Sequence, residues 1–182
     1  MPYMPDAYFY PEKHTPKERI FFDACDTILF TPLFRTMLGE FHVYEHPSIS
    51  SRGACIVNEK GNVYAKVSCA LSSSQWLYCL IHSLLHLAFG HFDRDNMPIE
   101  NGDFNQALWN KACDIYIARF LADIGVGEPI CPDPAEKYRI KLNDERKIYA
   151  HLKYLGEDGT ENIYSTNGGK PDMVGLNHPL VY

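Results

Sequence analysis

These 182 residues contain no CxxC pair, no cluster of lysine or arginine, no long uninterrupted apolar run and no internal repeat. Each absence narrows the possible functions. Without a basic cluster, and with a net charge of −6, the chain offers no broad surface for nucleic acid or anionic membrane. A bilayer-crossing helix needs roughly 20 apolar residues. The longest candidate, from Trp76 to Phe89, is broken by polar residues and two histidines. The opening residues, MPYMPDAYFYPEKHTPKERI, lack the basic and apolar regions of a secretory signal, so a cytoplasmic location is expected. In that compartment Cys25, Cys55, Cys69, Cys79, Cys113 and Cys131, scattered singly, read as reduced and mostly buried thiols.

What is present is an ordinary globular composition, 46% apolar and 22% charged, sufficient for one domain with a sizeable core. Residues 1–14, rich in aromatics and proline, read as an arm lying on that domain. Thr15-Pro16-Lys17-Glu18 is a helix start with a capping box, followed by an apolar stripe of Ile20, Phe21, Ala24, Ile28 and Leu29. Thr31-Pro32 opens a second, shorter helix ending at Gly39. Phe41 to His46 reads as a strand. Ala54–Asn58 and Asn62–Val67 flank Glu59-Lys60-Gly61 as a hairpin. Ser72 and Gln75 form another capping box before a helix that runs to Phe89 and stops at Gly90. A helix from Asn105 to Asp123 and one capped by Asn143 and running through Leu155 complete the regular elements. Residues 157–182 show no period and read as loop or tail. The expected organisation is therefore an arm, a domain over 15–156 and a tail, and the element order argues an α+β fold, mainly helical with a small sheet.

The chemistry centres on His82-Ser83-Leu84-Leu85-His86. Four residues along a helix advance about 400°, so both imidazoles leave one face, as two nitrogens must to reach one zinc ion. The flanking leucines and isoleucine make the helix a buried one, and each buried polar group left unpaired costs roughly 1–3 kcal/mol. A metal would satisfy both rings at once; the competing reading is two hydrogen-bonded core histidines. Asp114 and His91 are the candidate third ligands. Asp114 sits in an otherwise apolar helix, where a carboxylate is expensive unless paired or bound to a cation. It is favoured over His91, which follows the helix-ending Gly90, because a facing helix holds a ligand more rigidly than a loop does.

The stretches LIHSLLHLAFGHFDR (80–94), WNKACDIYIARFL (109–121) and ERKIYAHLK (145–153) together resemble a bacterial metallopeptidase family. In that family a HExxH domain precedes a von Willebrand A-like domain and is often encoded beside MoxR-type AAA ATPases. The resemblance spans most of the chain. It implies a zincin-like fold with the HxxxH motif on a central buried helix, zinc as cofactor, His82 and His86 as the motif histidines and Asp114 as the acid of the second motif. It also implies a protein or peptide partner, a MoxR-type AAA ATPase being the family's candidate.

One departure stands out: Ser83 occupies the position of the motif glutamate, the general base of such enzymes. Positioned acid–base catalysis is typically worth about 10²–10⁴-fold, and a serine hydroxyl does not supply it unaided. The favoured account is natural loss of the base in a domain that keeps its metal and acts through a partner. Two others are a carboxylate borrowed from Asp93, Asp95, Glu100 or Asp103, giving an active zinc peptidase or amidohydrolase, and a serine introduced in place of the glutamate. A metal-free interaction module, with both histidines as core residues, is a further alternative.

Overall fold

In a computed structural model of the chain, residues 14–35, 42–45, 49, 53–99, 104–131 and 144–175 are described. Five helices and four short strands occur among them: α1 (Pro16–Phe30), α2 (Pro32–Arg35), β1 (His42–Glu45), β2 (Cys55–Asn58), β3 (Asn62–Ala65), α3 (Ser73–Ala88), α4 (Gln106–Ile124), α5 (Glu145–Tyr154) and β4 (Met173–Val174). The fold is α+β.

The helix starts follow local chemistry. Thr15 and Glu18 close a full capping box on α1, with Pro16 in the first turn. Ser72 and Gln75 do the same for α3. Asn105 caps α4 through Leu108 N. The cap of α5 is Asp144, which accepts from Lys147 N, not Asn143, which lies outside the described residues. Of the apolar stripe on α1, Phe21, Ala24 and Ile28 are buried. The expected extension of α2 to Gly39 and residues 1–13 of the expected arm over 1–14 also lie outside the described residues.

The hairpin forms as expected, with β2 antiparallel to β3 and Ile56 opposite Tyr64. The Asn58 side chain accepts from Lys60 N and Asn62 N, which closes the turn. Two further pairings complete a sheet of order β1-β3-β2-β4: β1 runs parallel to β3 with Val43 opposite Val63, and β4 runs parallel to β2 with Val57 opposite Met173. Cys55, Val57, Val63 and Ala65 alternate inward into a core shared with α1 and with Trp76, Cys79, Leu80 and Leu84 of α3. A second apolar cluster joins α4 and α5 through Leu108, Trp109, Ala112, Ile115, Ile148 and Leu152. The six cysteines are free thiols, with Cys55, Cys79 and Cys113 buried. Among the described residues no helix is long and apolar enough to cross a membrane.

Apart from β4, the segment after α5 is loop in its described part. Over 157–175 it has no helix, yet it is fastened to the domain along its length. Lys111, 2% exposed on α4, meets Glu157 at 2.7 Å. Gly159 lies so close to the start of α4 that a Cβ there would stand 2.3 Å from Ala107 C and Leu108 N, and its φ of +81° also favours glycine. Asn162, Thr166 and Asp172 are buried, and β4 adds the last strand. Its order comes from single side-chain pairs and backbone hydrogen bonds, such as Ala54 N to Thr166 O and Val57 N to Asp172 O, which leave no hydrophobic period in the sequence.

Candidate metal centre

His82 and His86 lie one turn apart on α3, and both are completely buried. Their Nε2 atoms converge at 3.1 Å. Asp114, on α4, places Oδ1 3.3 Å from His82 Nε2 and 3.0 Å from His86 Nε2. Asp172, just before β4, brings Oδ2 to 3.5 Å from His82 Nε2 and Oδ1 to 3.6 Å from His86 Nε2. One donor atom from each of these four residues lies within 4.8 Å of the other three.

These distances test whether a metal fits. Ligands held about 2.0–2.1 Å from a tetrahedral ion stand roughly 3.3 Å apart; His82 Nε2, His86 Nε2 and Asp114 Oδ1 stand 3.0–3.3 Å from one another, and Asp172 brings one oxygen to 3.5 Å from His82 and the other to 3.6 Å from His86. Hydrogen bonding alone satisfies the group poorly: if both Nε2 atoms donate to Asp114, their protons oppose each other. The charge also matches, because two neutral imidazoles and two carboxylates carry −2, which one divalent cation balances in a buried site. Imidazole with carboxylate is a donor set that zinc accepts readily. The residues fit a divalent metal.

A family model described as "Putative metallopeptidase domain" matches residues 29–173. The chain belongs to that family. No curated protein and no solved structure matches it. Within the metallopeptidase family match fall all four donors and the fastened segment up to Met173.

The carboxylates are held from behind. Asn110, one turn before Asp114 on α4, directs its amide group at Asp114 Oδ1 and Asp172 Oδ1, both at 2.9 Å, and accepts from Met173 N. Asn162 donates to Asp114 Oδ2 at 2.6 Å. Thr166 donates its N–H to Asp172 Oδ2 at 2.9 Å and sets its hydroxyl 2.9 Å from the same atom. Burial alone would raise the Asp114 carboxyl, but the hydrogen bonds and charges of His82 and His86 outweigh it and hold the group well below the usual carboxylate range. For His82 burial opposes the charged form, yet the Asp114 hydrogen bond and the charges of Asp114 and Asp172 leave its pKa raised.

His91 is not among the four converging residues. It lies on the other side of the His86 ring, with Nδ1 3.0 Å from His86 Nδ1 and Nε2 3.1 Å from Glu145 Oε1. Burial pushes its imidazole down to about 4. Ser83 is 1% exposed and donates to Cys79 O at 3.0 Å, so its hydroxyl is engaged with its own helix. Asp93 and Asp95 are exposed, and Asp93 accepts from Asp95 N within a turn; Glu100 and Asp103 lie outside the described residues.

Asp172, Asn110, Asn162 and Glu145 were not among the residues expected to form the site. Asn110 carried a usable signal, since a second polar group four residues before Asp114 shares its helix face. Asp172 carried none, being one acid in an aperiodic stretch.

Proposed function

We propose that this chain is a zincin-like, metal-holding domain of the metallopeptidase family that encloses one zinc ion and has lost peptide hydrolysis. The observation that carries this reading is the fourth donor. Catalytic zinc sites keep three protein ligands and an open position for water or substrate, whereas structural sites are closed. Here His82, His86, Asp114 and Asp172 supply four donors, none more than 1% exposed.

The position next to the first histidine supports the same conclusion. An ion held by these residues would supply Lewis acidity, but hydrolysis also needs a group that takes a proton from the attacking water and returns it to the leaving amine. Ser83 offers only a hydroxyl, already donated to Cys79 O. The described acids of the 93–103 loop, Asp93 and Asp95, are exposed, which gives the borrowed-carboxylate alternative no support. A domain that holds metal without hydrolysing peptides works by binding, so action through a protein partner belongs to this reading. By the resemblance, a MoxR-type AAA ATPase is the partner to test.

Elemental analysis of protein purified without chelator, beside a His82→Ala/His86→Ala variant, tests the proposal. The expected result is one zinc per parent chain, none in the variant, no cleavage of a peptide library, and a large fall in Tm after treatment with a strong chelator. Cleavage that His86→Ala abolishes would establish an active enzyme instead. An empty parent whose melting ignores the chelator would establish the metal-free module.

A further inference from the structure

We infer that Glu145 and His91 are positioning residues for the metal centre, acting in series to aim His86 Nε2 at the ion. The inference rests on the metal-holding reading and assigns a function to two contacts, one buried and one part-buried, that this reading leaves unused.

The chain of donors permits one polarity. An ionised carboxylate only accepts hydrogen bonds. Glu145 occupies the first position of α5, next to the Asp144 cap, where the helix dipole favours negative charge. Facing Glu145 Oε1 at 3.1 Å, His91 must carry its proton on Nε2. A neutral imidazole with Nε2–H has a lone pair on Nδ1, and two ring nitrogens 3.0 Å apart need one donor and one acceptor. His91 Nδ1 therefore accepts, and His86, 3.0 Å away, must donate from Nδ1. With a metal at the centre, that leaves the lone pair of His86 on Nε2, the atom facing Asp114, Asp172 and His82. Metal-bound histidines commonly donate their other ring N–H to an acceptor that fixes tautomer and orientation; here the acceptor is a second histidine, itself oriented by a carboxylate.

The surroundings hold this relay in place. Trp109 of α4 donates its indole N–H to His91 O at 3.0 Å, and His91 N donates to His86 O at 3.0 Å across the turn at Gly90. Next to Glu145, Arg146 donates to Asn96 O at 2.8 Å and to Asp95 O, tying α5 to the loop after His91. The two ligand histidines are not treated alike: among the described residues His82 Nδ1 has no hydrogen-bond partner. The orienting contact serves His86 alone.

The test is a zinc competition titration with a chromophoric chelator on the full chain, comparing parent, Glu145→Ala, Glu145→Gln and His91→Ala. Proton–nitrogen correlation spectra of the histidine rings would accompany it. Glu145→Ala and His91→Ala should weaken zinc binding about 10–100-fold. Glu145→Gln, whose amide oxygen still accepts, should keep most of the affinity. In the spectra His91 should be the Nε2–H tautomer with and without zinc, and lose that preference in Glu145→Ala. Equal zinc affinity in parent and a folded Glu145→Ala protein, or a His91 tautomer protonated at Nδ1, would overturn this inference and leave the metal-holding reading intact. A parent that binds no zinc would overturn both.

Discussion

Two sides of α3 face different chemistries. Trp76, Leu80 and Leu84 share an apolar core with Phe21, Ile28, Val57 and Val63, while His82 and His86 meet Asp114 and Asp172. The apolar side is held by many small, non-directional contacts, so losing one leaves its neighbours with no unmet need. On the other side each group depends on its partners, because a charge or lone pair buried without one is costly. An apolar cluster of similar volume would often be as stable as a buried ionic one. The polar cluster therefore makes most sense where it holds something, and its fit to a divalent ion is that reason.

The comparison is broken or confirmed most directly by one substitution on each side. Asp114→Ala strands two buried histidines and should cost about 3–5 kcal/mol in urea unfolding of metal-free protein. It should also abolish zinc retention. Leu80→Ala leaves a cavity in the apolar core and should cost about 2–5 kcal/mol, with zinc content unchanged. Similar destabilisation with opposite metal outcomes is the expected pattern. If Leu80→Ala empties the site as fully as Asp114→Ala does, the two sides are not separate functional regions.

Acid should act on the polar side in a defined window. His91 is held near 4 by burial, against about 6.5 when unfolded. Between those values the unfolded chain binds more protons, so the stability His91 contributes is complete above about pH 6.5 and is lost as pH falls through 4. The loss is roughly 3 kcal/mol across the window. His82 has the opposite sign: its pKa is raised, so its contribution is present below about 6.5 and declines as pH rises through the higher folded value. Unfolding of metal-free parent and His91→Asn protein from pH 4 to 6.5 isolates the first effect. The variant should show a flatter acid limb, and an unchanged limb would mean that His91 is not the group being titrated.

How much of this was legible in the sequence follows the same division. Local chemistry was readable: the Thr15–Glu18 and Ser72–Gln75 boxes each lie within four residues, and the turn at Glu59-Lys60-Gly61 joins adjacent strands. His82 and His86 were readable because the helix period alone puts them on one face, and Asp114 because an acid interrupts an apolar helix. The parallel pairing of β1 with β3 and of β4 with β2 has no local signature. Asp172 was illegible for a related reason. Its position depends on Asn110, 62 residues earlier, and on the close approach of Gly159 to α4. Nothing in the residues around Asp172 records either contact.

The smallest expected effect concerns Ser83, the residue that follows the first histidine of the pair. Ser83→Ala removes one hydroxyl whose hydrogen bond goes to Cys79 O, a helix carbonyl one turn back. Such back-bonding contributes little within a helix, and alanine is the better helix former by a few tenths of a kcal/mol. The net change in stability should therefore stay within about 1 kcal/mol in either direction. Zinc content should not move, because Ser83 is not one of the four converging donors, and on the proposed reading neither protein should cleave peptides. A Ser83→Ala protein that loses zinc, or that differs from the parent toward peptides, would give this hydroxyl a function at the metal that its contact with Cys79 does not suggest. It would also blur the boundary between the two sides of α3, since Ser83 would then belong to the polar cluster and not to the helix that carries it.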